Sequence, residues 1–418
     1  MKDAAYFLCS SCGSQYEPEG VVYTCPKDDA NLEYVPDFSR IARAIRLTEL
    51  QTRAEPSLWR YLPFLPVGDP GAHGTPLRQA GWTPLYRAGR LAAKTGVRAL
   101  WVKDESSNPT ASFKDRASAV VVARAREIGA EIVVTASSGN AGAALAGMAA
   151  AVEQRSIILV PRTAPQAKIA QLLVFGAEVI LVDGTYDDAF DLSLAASRLY
   201  GWYCRNTGYN PFTLEGKKTA AYEIWEQLSA DRFSWDTQPL TVFVSVGDGN
   251  IIAGIHKGFR ELVQLGWLRN MPRLLGVQAE GSAAVANAYR LGVETITAVK
   301  ADTIADSISV GLPRDGLRAL RAATQTGGAY LTVSDAMILE AIADLGRMGI
   351  FAEPAGAAAY AGMVAAAGSG LVGADDAVVV VNTGSGLKDI HSAMQAVGQA
   401  PIIAPNLQAL EKNLRRTR

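Results

Sequence analysis

Seven short runs of β-branched and apolar residues, interleaved with stretches of helix-forming, often alanine-rich sequence, restrict this chain more than any other feature. The runs are 99–103, 131–135, 156–160, 178–182, 241–246, 273–279 and 376–381. They are continuously apolar, as in Ala377-Val-Val-Val-Val381, and do not alternate with polar residues. A strand of that kind needs cover on both faces, and helices between such strands supply it. The runs fall into two clusters, roughly 115–205 and 240–385. The expected fold class is therefore α/β, with two parallel or mixed open sheets flanked by helices and a cleft between them. Ligands of open α/β sheets sit beyond the carboxyl ends of the strands.

A chain of 418 residues has room for two or three domains with a sizeable core. Its formal charge of −1 gives no reason to expect nucleic acid as a partner. No apolar run reaches the roughly 18 residues that span a bilayer, and the apolar stretch in Met1–Cys9 is too short for a signal peptide. The four cysteines, three of them clustered, make a disulfide framework unexpected, so a reducing, cytoplasmic setting is expected. The basic end, Lys412–Arg418, reads as a solvated tail.

Four motifs carry chemistry. Lys114 lies in Asn108-Pro-Thr-Ala-Ser-Phe-Lys-Asp-Arg116, between a turn and a helical stretch. Burial and a helix N-terminus lower a lysine's pKa and make its amine a nucleophile and base. Ser137-Ser-Gly-Asn-Ala-Gly142 follows a strand and opens a helix. Its exposed amides, with the hydroxyls of Ser137 and Ser138, suit a carboxylate. Gly139 permits a positive φ there, and Asn140 can donate to a phenolate oxygen. Val246-Gly-Asp-Gly-Asn250 also joins a strand to a helix, and its glycines let amides approach a phosphate. Gly247, Gly249 and Gly254 echo a dinucleotide fingerprint, but the third glycine is displaced and no acid stands at the required distance. Thr383-Gly-Ser-Gly-Leu-Lys-Asp389 places a hydroxyl at a strand end, where it can bind a pyridine nitrogen. An imine-forming amine, a carboxylate clamp, a phosphate cradle and a ring-nitrogen partner together are the set that pyridoxal phosphate (PLP) needs.

These four motifs, in this order and rough spacing, resemble those of the threonine synthases, PLP enzymes of the tryptophan-synthase β-like fold (fold type II). The resemblance runs from about 55 to 395. Trp59-Arg-Tyr, Lys168-Ile-Ala-Gln171 and Asn210-Pro-Phe-Thr-Leu-Glu-Gly-Lys-Lys-Thr219 add to it. It implies that Lys114 is the Schiff-base lysine and proton shuttle. Asn140 would then contact the cofactor's 3′ oxygen, Gly247, Asp248, Gly249, Asn250 and Ile251 its phosphate, and Thr383 its ring nitrogen. It also implies a lyase of threonine biosynthesis that converts O-phospho-L-homoserine and water to L-threonine and phosphate by γ-elimination and β-addition. The alternatives are another fold-type-II enzyme, such as a dehydratase or a cysteate-synthase-like enzyme acting on phosphoserine, or a non-catalytic binding protein. For the substrate phosphate the candidates are Arg162, Lys168, Arg116 and Lys218, a bidentate arginine suiting the geometry best. Relatives of this type are often dimers.

The implied organisation is a zinc-ribbon-like extension at 1–36, a large cofactor domain at 37–114 with 206–398, a small mobile substrate domain at 115–205 and a tail at 399–418. Cys9-Ser-Ser-Cys12 and Cys25-Pro-Lys-Asp28 resemble the paired zinc knuckles found on some threonine synthases. Here Asp28 stands where a fourth cysteine would, so Cys9, Cys12, Cys25 and Asp28 are the candidate metal ligands. Cys204 is expected to pack as a small apolar residue.

Overall fold

The computed structural model describes residues 4–19 and 23–416. All seven expected strands form, and they sort into two open sheets. The larger sheet has six strands in the order Ala329–Val333, Arg273–Ala279, Leu240–Ser245, Ala377–Asn382, Ala99–Asp104 and Leu85–Arg87. Its neighbours are parallel except for the edge pair, where Leu85–Arg87 runs antiparallel to Ala99–Asp104. The smaller sheet is all parallel, in the order Glu178–Val182, Arg155–Pro161, Ile132–Ala136 and Tyr203–Cys204. Continuous burial along 240–245 and 377–382 reflects helices on both faces. The strand Ala329–Val333 was not expected: it is a half-buried edge strand, and its sequence mixes polar and apolar residues. Among the described residues no helix is long and apolar enough to cross a membrane.

Three helices form the spine between the sheets: Lys114–Glu127, Phe212–Ala230 and Asn250–Gln264. They approach closely because glycine stands at the crossings. A Cβ on Gly216 would lie 1.9 Å from the Arg116 carbonyl oxygen, and one on Gly258 2.3 Å from that of Lys218. Helices this close leave no room for water around the charges between them, so those charges must pair.

They do so in two fully buried clusters. Arg116 binds Glu105 through Nε at 2.7 Å and Glu223 through Nη1 at 2.5 Å, while Lys103 donates to Glu223 at 2.7 Å. Thr83 and Asn108 donate to Glu105 at 2.7 and 2.8 Å. Burial alone would raise the Glu223 carboxyl, but Arg116 and Lys103 hold it down to about 2. The second cluster joins Lys218 and Lys257 to Glu215 and Glu261. Arg116 and Lys218, two candidates for a substrate phosphate, are thus committed to structural ion pairs.

The N-terminal extension is a three-stranded antiparallel sheet, Gln15–Tyr16, Tyr6–Cys9 and Leu32–Val35. It is docked on the body. Phe7 packs edge-on to Phe212, Arg318 donates to the Leu32 carbonyl at 3.0 Å, and Arg321 donates to that of Ser10 at 2.5 Å. The segment expected as a solvated tail carries an exposed helix, Leu407–Arg416. Cys204 is fully buried, as expected.

Removing Glu223 leaves the buried Lys103 without a carboxylate and Arg116 with Glu105 alone. We expect Glu223→Ala to lower the unfolding free energy by about 3–5 kcal/mol, read from the denaturant midpoint; an unchanged midpoint would show that the cluster does not hold the spine.

Candidate functional site

The cavity forms where strand ends and helix starts meet. The loop 108–113 carries the chain from the strand Ala99–Asp104 into the helix Lys114–Glu127. Ala111 within it has φ +63, a left-handed conformation that costs a non-glycine residue energy and persists only when its surroundings impose it. What imposes it is the loop 383–386. Phe113 N donates to the Thr383 carbonyl at 2.9 Å, and Ser385 N to that of Ala111 at 3.1 Å. Glu353 N donates to the Gly384 carbonyl at 3.0 Å and Gly386 N to that of Phe351 at 2.7 Å. Three separate connections are stitched together, and they bring Lys114, Thr383 and Glu353 to one place.

Lys114, Asn140, Gly247, Asp248, Gly249, Asn250, Ile251 and Thr383 all line this cavity, together with Thr207, Lys217, Ser245, Ser307 and Glu353. Burial, helped by nearby Arg205, lowers the pKa of Lys114, against the opposing pull of Glu353 and Asp248. The Asn140 amide donates to both carboxylate oxygens of Glu353, at 2.8 and 3.0 Å, and to Ser307 Oγ at 3.2 Å. Burial raises the Glu353 carboxyl pKa. Ser245 Oγ is buried without a partner.

The loop 246–250 turns on Gly249, whose φ is +90; a Cβ there would lie 2.5 Å from Ala319 Cβ and 2.8 Å from the Asp315 carbonyl oxygen. The helix Asn250–Gln264 begins at this loop, and its first amides have no acceptor within the helix. Amides without acceptors, an orphaned buried hydroxyl and a lysine of lowered pKa fit a phosphorylated aldehyde cofactor.

The other candidates lie differently. Ser137 and Ser138 stand half-buried just before the helix Asn140–Ala150, outside the cavity lining. Gly139 has φ −95 and does not use the positive φ that glycine permits. The glycine that this turn requires is Gly142, where a Cβ would lie 2.1 Å from the Ser137 carbonyl oxygen. Arg162 is exposed and paired with Asp183 at 3.3 Å, and Lys168 pairs with Asp306 at 2.5 Å. Neither lines the cavity. Three contributors were missed. Glu353 and Lys217 line the cavity, and Arg205 lies behind Thr207, to which it donates at 2.8 Å. Lys217 was within reach of sequence reasoning, since Gly216-Lys-Lys-Thr219 had been singled out, but nothing there says which lysine faces inward.

Near residue 28 a second constellation appears. The sulfurs of Cys9, Cys12 and Cys25 and an Asp28 carboxylate oxygen all lie within 4.8 Å of one another. Cys12 and Cys25 sulfurs are 3.7 Å apart, close to the ~3.8 Å between thiolates on a tetrahedral ion with ~2.3 Å bonds. Ser11 N and Cys12 N both donate to Cys9 Sγ at 3.4 Å, so the turn holds that sulfur in place. The donor set fits a zinc-like ion.

A buried amine of lowered pKa, lining one cavity with a glycine turn at a helix start in the cleft of two open sheets, fits an enzyme that works through pyridoxal phosphate. The model of the pyridoxal-phosphate dependent enzyme family matches residues 77–384. Threonine synthase of Methanosarcina acetivorans is 37% identical over 411 residues, covering 97% of this chain and 98% of that protein. Threonine synthase of Methanocaldococcus jannaschii is 38% identical over 412 residues, with the same coverage. Among solved structures, the processed threonine deaminase isoform 2 of Solanum lycopersicum superposes with a TM-score of 0.65 at 25% identity, covering 82% of this chain and 94% of that one. The chain belongs to the threonine synthase family of PLP-dependent enzymes.

Gly249→Ala forces a side chain into a left-handed turn with no space for it. We expect cofactor affinity, measured by absorbance titration, to fall about tenfold or more, with a lower melting temperature; unchanged affinity would mean that the loop does not shape the cradle.

Proposed function

We propose that the protein is a threonine synthase, converting O-phospho-L-homoserine and water to L-threonine and phosphate. The observation that carries this reading is Lys114, a lysine of lowered pKa in a cavity built from the family's motifs, in a chain 37–38% identical over nearly its whole length to relatives named threonine synthase. When bound, PLP supplies an electron sink for a carbanion in the substrate. In this reading Gly247–Ile251 hold its phosphate, Thr383 meets its ring nitrogen and Asn140 its phenolic oxygen, with Glu353 orienting the Asn140 amide. A neutral hydroxyl at the ring nitrogen does not force that nitrogen to be cationic. Lys114 takes and returns protons at the substrate carbons, a role open to an amine whose pKa burial lowers. Ser137, Ser138 and the start of the helix Asn140–Ala150 bind the substrate carboxylate.

We also read residues 115–205 as a unit that moves to admit substrate and exclude water. Arg116 at its start is locked to Glu105 and Glu223, so the motion belongs to the residues beyond the helix Lys114–Glu127, whose surface ties across the cleft are weak. Lys168–Asp306 and Arg314–Asp187 are partly exposed pairs, of a kind that contributes about 0–1 kcal/mol. The cysteine cluster is proposed as a structural zinc site.

Two tests follow. The purified holoprotein is expected to release phosphate from O-phospho-L-homoserine, and Lys114→Ala to lose both this activity and the visible cofactor absorbance. Turnover of phosphoserine or threonine in place of phosphohomoserine would move the assignment to another PLP enzyme. For the metal, mass spectrometry is expected to find about one zinc per chain, lost in Cys25→Ser; metal-free parent protein would reject the site.

A further inference from the structure

The helix Ile390–Val397 turns its small residues inward and its large apolar residues outward. It packs on the helix Asp335–Gly346. Ser392 is buried there and Ala396 lies against the core, whereas Ile390, Met394 and Val397 are exposed, Val397 by 69%. Their spacing of four residues and then three is that of a seam along one helix face. Leu387 and Phe351, also exposed, lie beside its start, where Gly386 N donates to the Phe351 carbonyl at 2.7 Å. Single exposed apolar residues are ordinary on a protein surface, but a stripe of this size marks a binding face.

A second seam lies on the helix Leu407–Arg416. Leu407, Leu410 and Leu414 follow a spacing of three residues and then four, and all are exposed, Leu407 by 81%. This helix has 10 residues. Isolated helices below ~12–15 residues are marginal in water, so helicity here draws on packing of the leucine face. What that face meets follows from the connection. Residues 398–406 are irregular and exposed, and they include Pro401 and Pro405, each of which favours an extended residue before it. At ~3.1 Å per residue the connection reaches about 25 Å, twice the ~12 Å length of the helix Ile390–Val397. Two helices folded back on each other within one chain use a connection of about 2–5 residues. This arm is built to pass beyond its own helix.

We propose that two copies of this chain associate by exchanging these arms, the helix Leu407–Arg416 of each lying on the Ile390, Met394 and Val397 face of the other. Covering both seams in such a pair removes roughly 1,400 Å² from solvent, within the ~1,200–2,000 Å² of stable protein interfaces. The exchanged arm sits against the segment that follows the loop 383–386, so association braces the loop that carries Thr383.

Sedimentation velocity on the full chain tests this. The parent is expected to run as a dimer. Two double variants remove one seam each: Leu407→Asp with Leu410→Asp on the arm, and Met394→Asp with Val397→Asp on the face. All four positions are exposed, so each variant is expected to keep a cooperative melting transition. Each is expected to raise the dimer dissociation constant at least about 100-fold. Mixing the two variants identifies the exchange. One intact arm then meets one intact face, and the mixture is expected to associate more tightly than either variant with itself. A monomeric parent overturns the proposal and returns the arm to its own chain. A face variant that stays dimeric overturns it in favour of arm-to-arm pairing, and an arm variant that stays dimeric places the interface elsewhere. A mixture no more associated than its components also overturns it. None of these outcomes depends on turnover of phosphohomoserine.

Discussion

The buried guanidinium of Arg116 sets the geometry on which the site depends. It joins the end of the strand Ala99–Asp104, through Glu105, to the helix Phe212–Ala230, through Glu223, from a position two residues beyond Lys114. With Lys103 and Thr83 added, no member of this cluster reaches water. Such pairs contribute little net stability against an apolar alternative, yet they are costly to break, so they select one arrangement of the elements that meet there. The arrangement selected points the first turn of the helix Lys114–Glu127 into the cleft.

A second constraint is the backbone stitching of the loops 108–113 and 383–386 with the start of the helix Pro354–Gly368. It holds Ala111 in a left-handed conformation and places Lys114, Glu353 and Thr383 together, although they are far apart in sequence. Rigid floor and weak walls then divide the labour. The side carrying Lys114 is locked by buried ion pairs, while the side carrying Asn140 is tied across the cleft mainly by exposed pairs. The N-terminal extension docks mainly on the rigid side, although Tyr23 also accepts from the Cys204 amide of the smaller sheet at 2.8 Å. Asn31 donates to the carbonyls of Gly208 and Arg314, and Arg318 reaches from Asp315 to Leu32, so the cysteine-bearing sheet buttresses loops that border the cavity.

Much of the site was legible because strand-to-helix junctions carry their signature locally. A strand run, a glycine turn and a helix start within a few residues marked Gly247–Ile251, Asn140 and Thr383, and all of them line the cavity. What local reading handled badly was the destination of long charged side chains. Arg116 and Lys218 have the composition of phosphate ligands and serve instead as structural ions. Nothing local says that Lys217 faces the cavity, and its partner there, Asn250, comes from another helix. The glycine that matters in this loop was hidden for a related reason. Which glycine in Ser-Gly-Asn-Ala-Gly is obligatory depends on where the Ser137 carbonyl lies against the helix, not on the turn's own propensity.

Fold class and family were legible in the order of the residues, and so was a lysine that lines the cavity, since apolar continuity, glycine turns and motif order are properties of neighbouring residues. Only the tertiary structure decided which charges are buried against each other and which face the cavity. The physical reason is that a charge's role depends on its distance to other charges and to water, and those distances exist only once the helices have packed.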